Sequence, residues 1–265
     1  MQDITFILFL HHMNLKDRIK RIGNSKNIFI LLLFKILKFV WFVFQLGTNG
    51  RMRSETLAGL FSRDNLHQRA TFTLKNRYPL VFQKCTEFFA ARNRKDPKIL
   101  SFGCSTGEEV FTLGEYFPHT RIIGVDINSW CVRQCKKLSR NPNFTFLNRK
   151  SRTFEIMTDF DAIFCMAVFQ RTENRTSSDN RIVKGHTFEQ FESEIKVLDQ
   201  KLKVGGLFVI DHADFSFTDT SCSIYYQPVG FEQNQVLRKR PLYNIYNQKI
   251  ANEQTNYRVF EKVGL

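Results

Sequence analysis

The segment 98–117 constrains the fold more than any other part of the chain. Residues 99–102 (Ile-Leu-Ser-Phe) predict a short buried strand, and residues 108–116 carry apolar side chains at helical spacing. Between them lies Gly-Cys-Ser-Thr-Gly, residues 103–107, whose small side chains let backbone atoms approach a ligand. Such a ligand would also face the unpaired N–H groups at the start of the helix. The segment therefore predicts a strand–turn–helix ligand site.

A second predicted strand follows and ends in an acid. Residues 120–128 contain the apolar run Ile-Ile-Gly-Val, which leads directly into Asp126. This residue lies about 20 residues after the turn, where doubly wound α/β folds place a carboxylate against ribose hydroxyls. Asp is also a favoured N-cap, so the alternative role for Asp126 is to cap a helix predicted over 129–138.

These motifs resemble a known cofactor site. Residues 103–109 (Gly-Cys-Ser-Thr-Gly-Glu-Glu) and 124–127 (Gly-Val-Asp-Ile) are similar to the cofactor motifs of class I S-adenosylmethionine-dependent methyltransferases. The sequence Cys-Ser-Thr-Gly-Glu-Glu is most similar to the corresponding motif of the chemotaxis-receptor branch, which methylates protein glutamates. The chain departs from the usual family motif at Ser101, which stands where most members have an acid, and at Ser105, which replaces a glycine.

The resemblance, which covers roughly residues 65–215, implies an α/β fold. The expected architecture is a Rossmann-like, mostly parallel sheet with an antiparallel last strand and an N-terminal helical extension. Further segments fit this order: a strand near 143–147, a strand that runs into a loop over 160–170, a turn plus strand over 203–212 and a late strand over 257–263. We expect residues 54–265 to form the methyltransferase domain and residues 1–53 to form a basic, apolar, membrane-associating extension.

The resemblance also implies roles for individual residues toward S-adenosylmethionine. Asp126 would hold the ribose hydroxyls and Glu109 the methionine ammonium, although a first-turn Glu also simply stabilises a helix. Arg77 lies 32 residues before Glu109 and would bind the cofactor carboxylate, with a surface arginine as the alternative. The full set of predicted cofactor-binding residues is Thr73, Arg77, Gly103, Cys104, Ser105, Gly107, Glu109, Asp126, Ile127, Cys165 and Met166.

The sequence leaves the methyl acceptor open. A carboxylate acceptor is already a nucleophile, whereas a hydroxyl or amine would need a base, for which His212 is the candidate and His186 a lesser one. The six cysteines show neither a Cys-x-x-Cys pair nor histidine partners at metal spacing, so we expect no metal site. The acceptor classes favoured are a protein carboxylate and a small or lipid-linked metabolite.

The N-terminal extension predicts contact with a membrane. Residues 1–53 carry nine Lys or Arg against two Asp, and residues 28–46 are strongly apolar except for Lys35, Lys38 and Gln45. Fifteen Leu, Ile, Phe and Val contribute about −7 kcal/mol to insertion, and the two lysines return about +5 to +7. Insertion is therefore close to balanced, and the three polar residues share one helix face, which favours a helix lying in the interface.

Two other arrangements remain for residues 28–46, a true span and a helix packed on protein. The heavier basic flank before residue 28 would place the domain outside in a spanning arrangement, away from cytosolic cofactor. We therefore expect a cytoplasmic protein that is peripheral on the cytoplasmic face, with residues 14–46 on an anionic membrane surface. The alternative functions are a non-catalytic binding protein that retains the fold and an RNA methyltransferase, which the net charge of +14 permits.

Overall fold

The computed structural model describes residues 23–24, 27–61, 74–171, 186–230, 243–250 and 258–265. The predicted cofactor contact Thr73 lies outside the described residues. The chain forms two compact units, Met1–Arg53 and Ser54–Leu265. Each unit is described below by itself.

The first unit contains a 21-residue helix, α1 (Ile28–Thr48). Asn27 caps its start, because the Asn27 side-chain oxygen accepts hydrogen bonds from the backbone N–H groups of Phe29 and Ile30 at 3.0 and 3.4 Å. No side chain of α1 is buried in the described structure. Its length and its mean hydropathy of 2.2 are sufficient for a membrane span. These two measures do not separate a spanning helix from one that lies on a surface.

A second helix, α2 (Gly50–Phe61), begins almost immediately after α1 ends. The glycines near residues 47–53 predict a linker or turn, and this prediction is wrong for residues 50–53. Asn49 explains the difference because it terminates one helix and starts the next. Its backbone N–H donates to Gln45 O at 2.8 Å, and its side-chain oxygen accepts from Met52 N–H at 3.1 Å.

The second unit is built on a seven-stranded sheet. Its strands are β1 (Ile99–Phe102), β2 (Ile122–Asp126), β3 (Phe144–Asn148), β4 (Phe160–Met166), β5 (Leu202–Asp211), β6 (Tyr226–Pro228) and β7 (Val259–Lys262). The helices described between them are α3 (Pro79–Ala91), α4 (Glu108–Tyr116), α5 (Ser129–Leu138), α6 (Arg152–Glu155) and α7 (Phe188–Asp199). Two short 3₁₀ turns, Phe217–Asp219 and Ser221–Tyr225, precede β6.

The sheet has the order β3-β2-β1-β4-β5-β7-β6. Strands β1 to β5 run parallel, and β7 pairs antiparallel with β5 and with β6. The predicted Rossmann-like sheet with an antiparallel last strand is therefore confirmed. Strand β6 and the 3₁₀ turns before it carry no clear periodicity and were not predicted. Every residue of β1 and β4 is buried, as expected for parallel strands that helices cover on both faces.

The strand order reverses between β1 and β4. From β1 the chain proceeds outward through β2 to β3, and it then returns to pair β4 with the other side of β1. In open α/β sheets, ligands bind at the carboxyl ends of the strands beside such a reversal. The fold therefore directs the turn after β1 and the loop after β4 toward one crevice.

Two hydrophobic clusters hold the helices on the sheet. Apolar side chains of α3, α4 and α5 pack in one cluster, and those of α6 and α7 pack in the other. Neighbouring residues of β1 alternate between the clusters, because successive strand side chains point to opposite faces: Ile99 belongs to the first and Leu100 to the second. This packing fixes the strand ends that carry the polar residues described next.

Candidate cofactor-binding site

The turn after β1 has the backbone conformation that its small residues predict. Gly103, Ser105 and Gly107 all have positive φ, at 76°, 50° and 99°. A Cβ on Gly103 would lie 2.4 Å from Val168 Cγ2, so this position requires glycine for packing against the loop after β4. The backbone N–H groups of Gly103 and Cys104 both donate to Val125 O, at 2.7 and 3.0 Å. These bonds hold the turn against β2 at the carboxyl edge of the sheet.

Asp126 links the end of β2 to this turn. Its Oδ2 accepts from Ser105 N–H at 2.8 Å, and its Oδ1 accepts from Asn128 N–H at 2.7 Å. Burial raises the pKa of Asp126 above its usual range, and the bonds from Asn128 and Ser105 oppose that rise. Each carboxylate oxygen keeps further acceptor capacity, which a ribose hydroxyl can use.

Asn128, rather than Asp126, caps the following helix. The Asn128 side-chain oxygen accepts from Trp130 N–H at 2.9 Å and Cys131 N–H at 3.4 Å. It also accepts from the hydroxyl of Ser54. The alternative N-cap role for Asp126 is therefore not what the structure shows. Ile127, between the two, is partly buried, and its carbonyl accepts from Asn148 Nδ2 at 3.0 Å.

Glu109 lies against the position where the family motif usually has an acid. The hydroxyl of Ser101, which is fully buried, donates to Glu109 Oε1 at 2.8 Å. Burial raises the pKa of Glu109 to about 8, while the bond from Ser101 and the charge of Arg77 act in the opposite direction. Glu109 and Arg77 are therefore electrostatic neighbours, although 32 residues separate them in the sequence.

Arg77 lies two residues before the start of helix α3. Its guanidinium lies 5.3 Å from the ring centroid of Tyr78, which is the N-cap residue of that helix. Arg77 carries a positive charge, and the Glu109 carboxyl group near it carries a negative charge when it is ionised. Such a pair suits the carboxylate and ammonium groups of an amino acid, which is what the predicted roles of Arg77 and Glu109 require.

The cysteine and methionine candidates are buried. The Cys104 thiol forms a hydrogen bond with the Cys135 thiol, which together with burial raises the pKa of Cys104 well above its usual range. Cys135 Sγ in turn donates to Ser105 O at 3.2 Å. At the end of β4, Cys165 is fully buried and Met166 is 6% exposed, and both belong to the hydrophobic clusters. Cys104 and Cys165 therefore support the turn and strand from within the core.

A second polar group lies at the end of β5. His212 has a left-handed backbone (φ 53°), and its Nδ1 lies 3.0 Å from the hydroxyl of Tyr78 and 3.4 Å from Asp211 Oδ1. Asp211 Oδ2 lies 3.6 Å from Arg258 Nη1. The charges of His212 and Arg258 and hydrogen bonds from His212 hold the pKa of Asp211 below its usual range, although burial acts against them. Both contacts are made by Nδ1, so they fix the orientation of the imidazole ring at the end of β5.

His186 is less suited to proton transfer. It is fully buried, and its Nε2 lies 3.7 Å from Asp214 Oδ2, which also accepts from Arg171 N–H at 2.8 Å. Burial and the charge of Arg171 lower the pKa of His186 to about 4, so the ring is neutral near pH 7. This group links the loop after β4 to the loop after β5.

Three of these contacts had no signal in the sequence: Ser101 with Glu109, Tyr78 with His212, and Cys104 with Cys135. The departure of Ser101 from the family motif was visible. The hydrogen bond from Ser101 to Glu109 became visible only in the structure.

The sequence comparisons point to one enzyme class. Residues 99–180 match a family described as a methyltransferase domain. A malonyl-[acyl-carrier protein] O-methyltransferase from Ilyobacter polytropus is 25% identical over 138 residues, covering 46% of this chain and 52% of that protein. A trans-aconitate 2-methyltransferase from Rhodopseudomonas palustris is 30% identical over 88 residues, covering 33% and 34%. The chain thus spans about half of the first relative and a third of the second.

Solved structures of methyltransferases are similar at a low level. An S-adenosylmethionine-bound amino pentose methyltransferase from Micromonospora echinaspora is 20% identical, with coverage of 57% of this chain and 56% of that chain and a TM-score of 0.38. The plantazolicin methyltransferase BpumL is 15% identical, with coverage of 63% and 55% and a TM-score of 0.36. Because these TM-scores are low, the fold assignment rests on the strand order instead.

The methyltransferase-domain match supports S-adenosylmethionine as the cofactor, and the residues present fit it. Asp126 offers a carboxylate for the ribose hydroxyls. The small residues of the adjacent turn, 103–107, allow a ligand to approach the backbone. Glu109 is a partly buried acid with a raised pKa, which a cation would stabilise in its ionised form. Arg77 supplies the opposite charge for a carboxylate.

Proposed function

We propose that this chain is a class I S-adenosylmethionine-dependent methyltransferase that acts on a carboxylate acceptor at the cytoplasmic surface of a membrane. One observation carries the enzyme assignment: the methyltransferase-domain match coincides with a turn in which Asp126, Ser105 and the Glu109–Ser101 pair converge on the carboxyl edge of β1 and β2. The family match covers only residues 99–180, so the activity of the whole chain is tested by the following experiments.

The first test is calorimetric titration of S-adenosylmethionine into the full chain. We expect micromolar binding that Asp126→Asn weakens at least tenfold, because a neutral amide accepts hydroxyl bonds less strongly than a carboxylate. Glu108→Gln is the matched control, since Glu108 bonds to Thr106 beside the turn rather than to Asp126. A folded wild type that binds no cofactor would support the alternative, a non-catalytic protein that retains the fold.

When bound, the cofactor would supply an electrophilic methyl group: an acceptor oxygen would bond to the methyl carbon in line as the carbon–sulfur bond breaks and the thioether S-adenosylhomocysteine leaves. The residues of the chain position the reactants and exclude water, and the transfer needs no metal-bound intermediate. Arg77 and Glu109 would hold the amino-acid end and Asp126 the ribose. His212 and Tyr78 meet just after the end of β5, at the same carboxyl edge of the sheet, where they could contact an acceptor.

A carboxylate acceptor is supported by the names of both relatives, since malonyl and aconitate groups are carboxylic acids. The motif Cys-Ser-Thr-Gly-Glu-Glu additionally suggests a protein glutamate, through its similarity to the chemotaxis-receptor branch. A lipid-linked carboxylate would suit an enzyme held at a membrane. All three share a nucleophile that is already ionised near pH 7, so the reaction needs no base.

The rival acceptor is a hydroxyl group, and the Tyr78–His212–Asp211 contacts favour it, because they orient an imidazole at the ligand edge. The acceptors differ in the product and in the effect of His212→Gln. A carboxylate gives a methyl ester that releases methanol in alkali, with activity changed less than about threefold by the substitution. A hydroxyl gives an alkali-stable ether, and loss of the base would lower kcat by about 10²–10⁴.

Membrane association is supported by the exposed apolar side chains of α1 and by the basic residues around it. Vesicle flotation followed by alkaline carbonate extraction tests it: a peripheral helix is released by carbonate, whereas a spanning helix remains. An RNA methyltransferase is the remaining alternative. Steeply salt-dependent RNA binding without vesicle binding would favour that function over ours.

A further inference from the structure

Positive charge in the second unit is concentrated at one edge of the sheet. Residues 54–265 carry 30 Lys or Arg and 23 Asp or Glu, a net charge of +7. Residues 129–156 alone carry seven Lys or Arg against one Glu, a net charge of +6. These residues form α5, the terminal strand β3 and α6. Nearly all of the excess charge of this unit therefore lies beside β3.

The fold turns most of these cations outward. In α5, Cys131, Val132 and Cys135 are buried, whereas the arginine between them and the two lysines that follow Cys135 are exposed. Arg149 differs from the rest, because it is partly buried and its Nε and Nη2 both lie 2.8 Å from Glu194 Oε1. The remaining exposed cations define what we term the basic edge: Arg133, Lys136, Lys137, Arg140, Lys150 and Arg152.

Two large apolar side chains are exposed among these cations. Leu138 is 61% exposed at the end of α5, and Ile156 is 72% exposed directly after α6. A lipid bilayer with anionic headgroups fits this combination, since the headgroups attract the cations and the aliphatic side chains can enter the interface. A surface for single-stranded nucleic acid would instead present aromatic rings for base stacking, and both of these exposed side chains are aliphatic.

We propose that the basic edge docks on an anionic lipid bilayer, as a second membrane contact besides α1. The strength of membrane binding grows with the apolar area that enters the interface and with the electrostatic attraction to anionic lipids. The basic edge supplies the second contact from within the folded domain. This inference extends the proposed membrane location, and it depends neither on the acceptor nor on catalysis.

The test compares the full chain with the variant Lys136→Gln/Lys137→Gln/Arg140→Gln on two kinds of vesicle. On pure phosphatidylcholine, where α1 alone acts, the two proteins should bind equally. On phosphatidylcholine with about one third phosphatidylglycerol, the wild type should bind about a hundredfold more strongly than the variant, from roughly fivefold for each cation near the surface. The difference should shrink as salt is added, because salt screens exposed charges.

A matched control separates the basic edge from net charge. The variant Lys84→Gln/Lys95→Gln/Lys196→Gln removes the same charge from other helices and loops of the unit, so it should bind anionic vesicles like the wild type. Equal loss in both variants, or no loss in either, would overturn the proposal. It would also be overturned if the Lys136 variant lost binding to an RNA oligonucleotide while its vesicle binding stayed unchanged. If α1 does not bind membranes, neither protein will bind pure phosphatidylcholine. The difference in affinity between wild type and variant on vesicles with phosphatidylglycerol still measures the contribution of the basic edge.

Discussion

The raised pKa of Glu109 predicts a bell-shaped dependence of cofactor affinity on pH. In the free protein, burial raises this pKa to about 8, so the carboxyl group is mostly protonated near pH 7. Pairing with the methionine ammonium requires the ionised carboxylate. An α-amino group has a pKa of about 7.7–8.0, so the ammonium group of the cofactor loses its positive charge above that range, while the sulfonium keeps its own. Affinity should therefore rise with pH up to about 8 and fall beyond it.

The size of the effect follows from the two pKa values. At pH 6 only about 1% of Glu109 is ionised, whereas near pH 8 about half of Glu109 and half of the cofactor ammonium are in the binding forms. Affinity at pH 6 should therefore be about 20-fold weaker than near pH 8. At pH 7 binding should release about 0.8 proton, because Glu109 gives up its proton on pairing.

Calorimetric titration from pH 6 to 9, in buffers of different ionisation enthalpy, measures affinity and proton release together. Glu109→Gln should remove the rising limb, so that affinity is nearly constant from pH 6 to 7 and declines only above about pH 8. Glu108→Gln, one residue earlier, should keep the wild-type curve. If wild type and Glu109→Gln give the same profile and neither releases a proton, Glu109 does not bind the ammonium and the reasoning fails.

The same group should affect stability in the absence of cofactor. Its pKa is raised in the folded state, so its carboxyl group is neutral at low pH and must ionise inside the protein as pH rises. The free energy of unfolding should therefore fall between about pH 4.5 and pH 8, by at most about 5 kcal/mol at 1.36 kcal/mol per unit. Partial exposure of the side chain makes the true value smaller. Denaturant unfolding of Glu109→Gln should lack this fall.

Two further predictions concern the turn and the thiols. Gly103→Ala should lower the free energy of unfolding by about 3 kcal/mol in a denaturant titration, because it adds left-handed strain and a clash with Val168. Gly230→Ala, where a Cβ meets nothing within 4 Å, should change it little, and equal effects would contradict this account. All six cysteines are buried thiols outside disulfide bonds, so iodoacetamide at pH 7.5 should label the native protein far more slowly than the unfolded chain. Rapid labelling of the native protein would show that these thiols are accessible.

The sequence by itself determined the parts of the site that are local in the chain. An apolar run, a turn of small residues and a helical pattern lie next to one another in segment 98–117, and the structure has a strand, a turn with positive φ and a helix there. Asp126 was found in the same way, because a buried strand ends at a fixed distance from that turn. Periodicity is a property of neighbouring residues, so the sequence displays it directly.

Only the tertiary structure decided which distant residues meet. Ser101 supports Glu109, Arg77 lies near that same carboxyl group, and Tyr78 reaches His212 from 134 residues away. Spacing does not reveal these contacts, because they arise where parallel strands and the start of α3 come together at one edge of the sheet. The choice of Asn128 over Asp126 as helix cap was decided in the same way. Both residue types favour that position, and Asp126 is already engaged with the turn after β1.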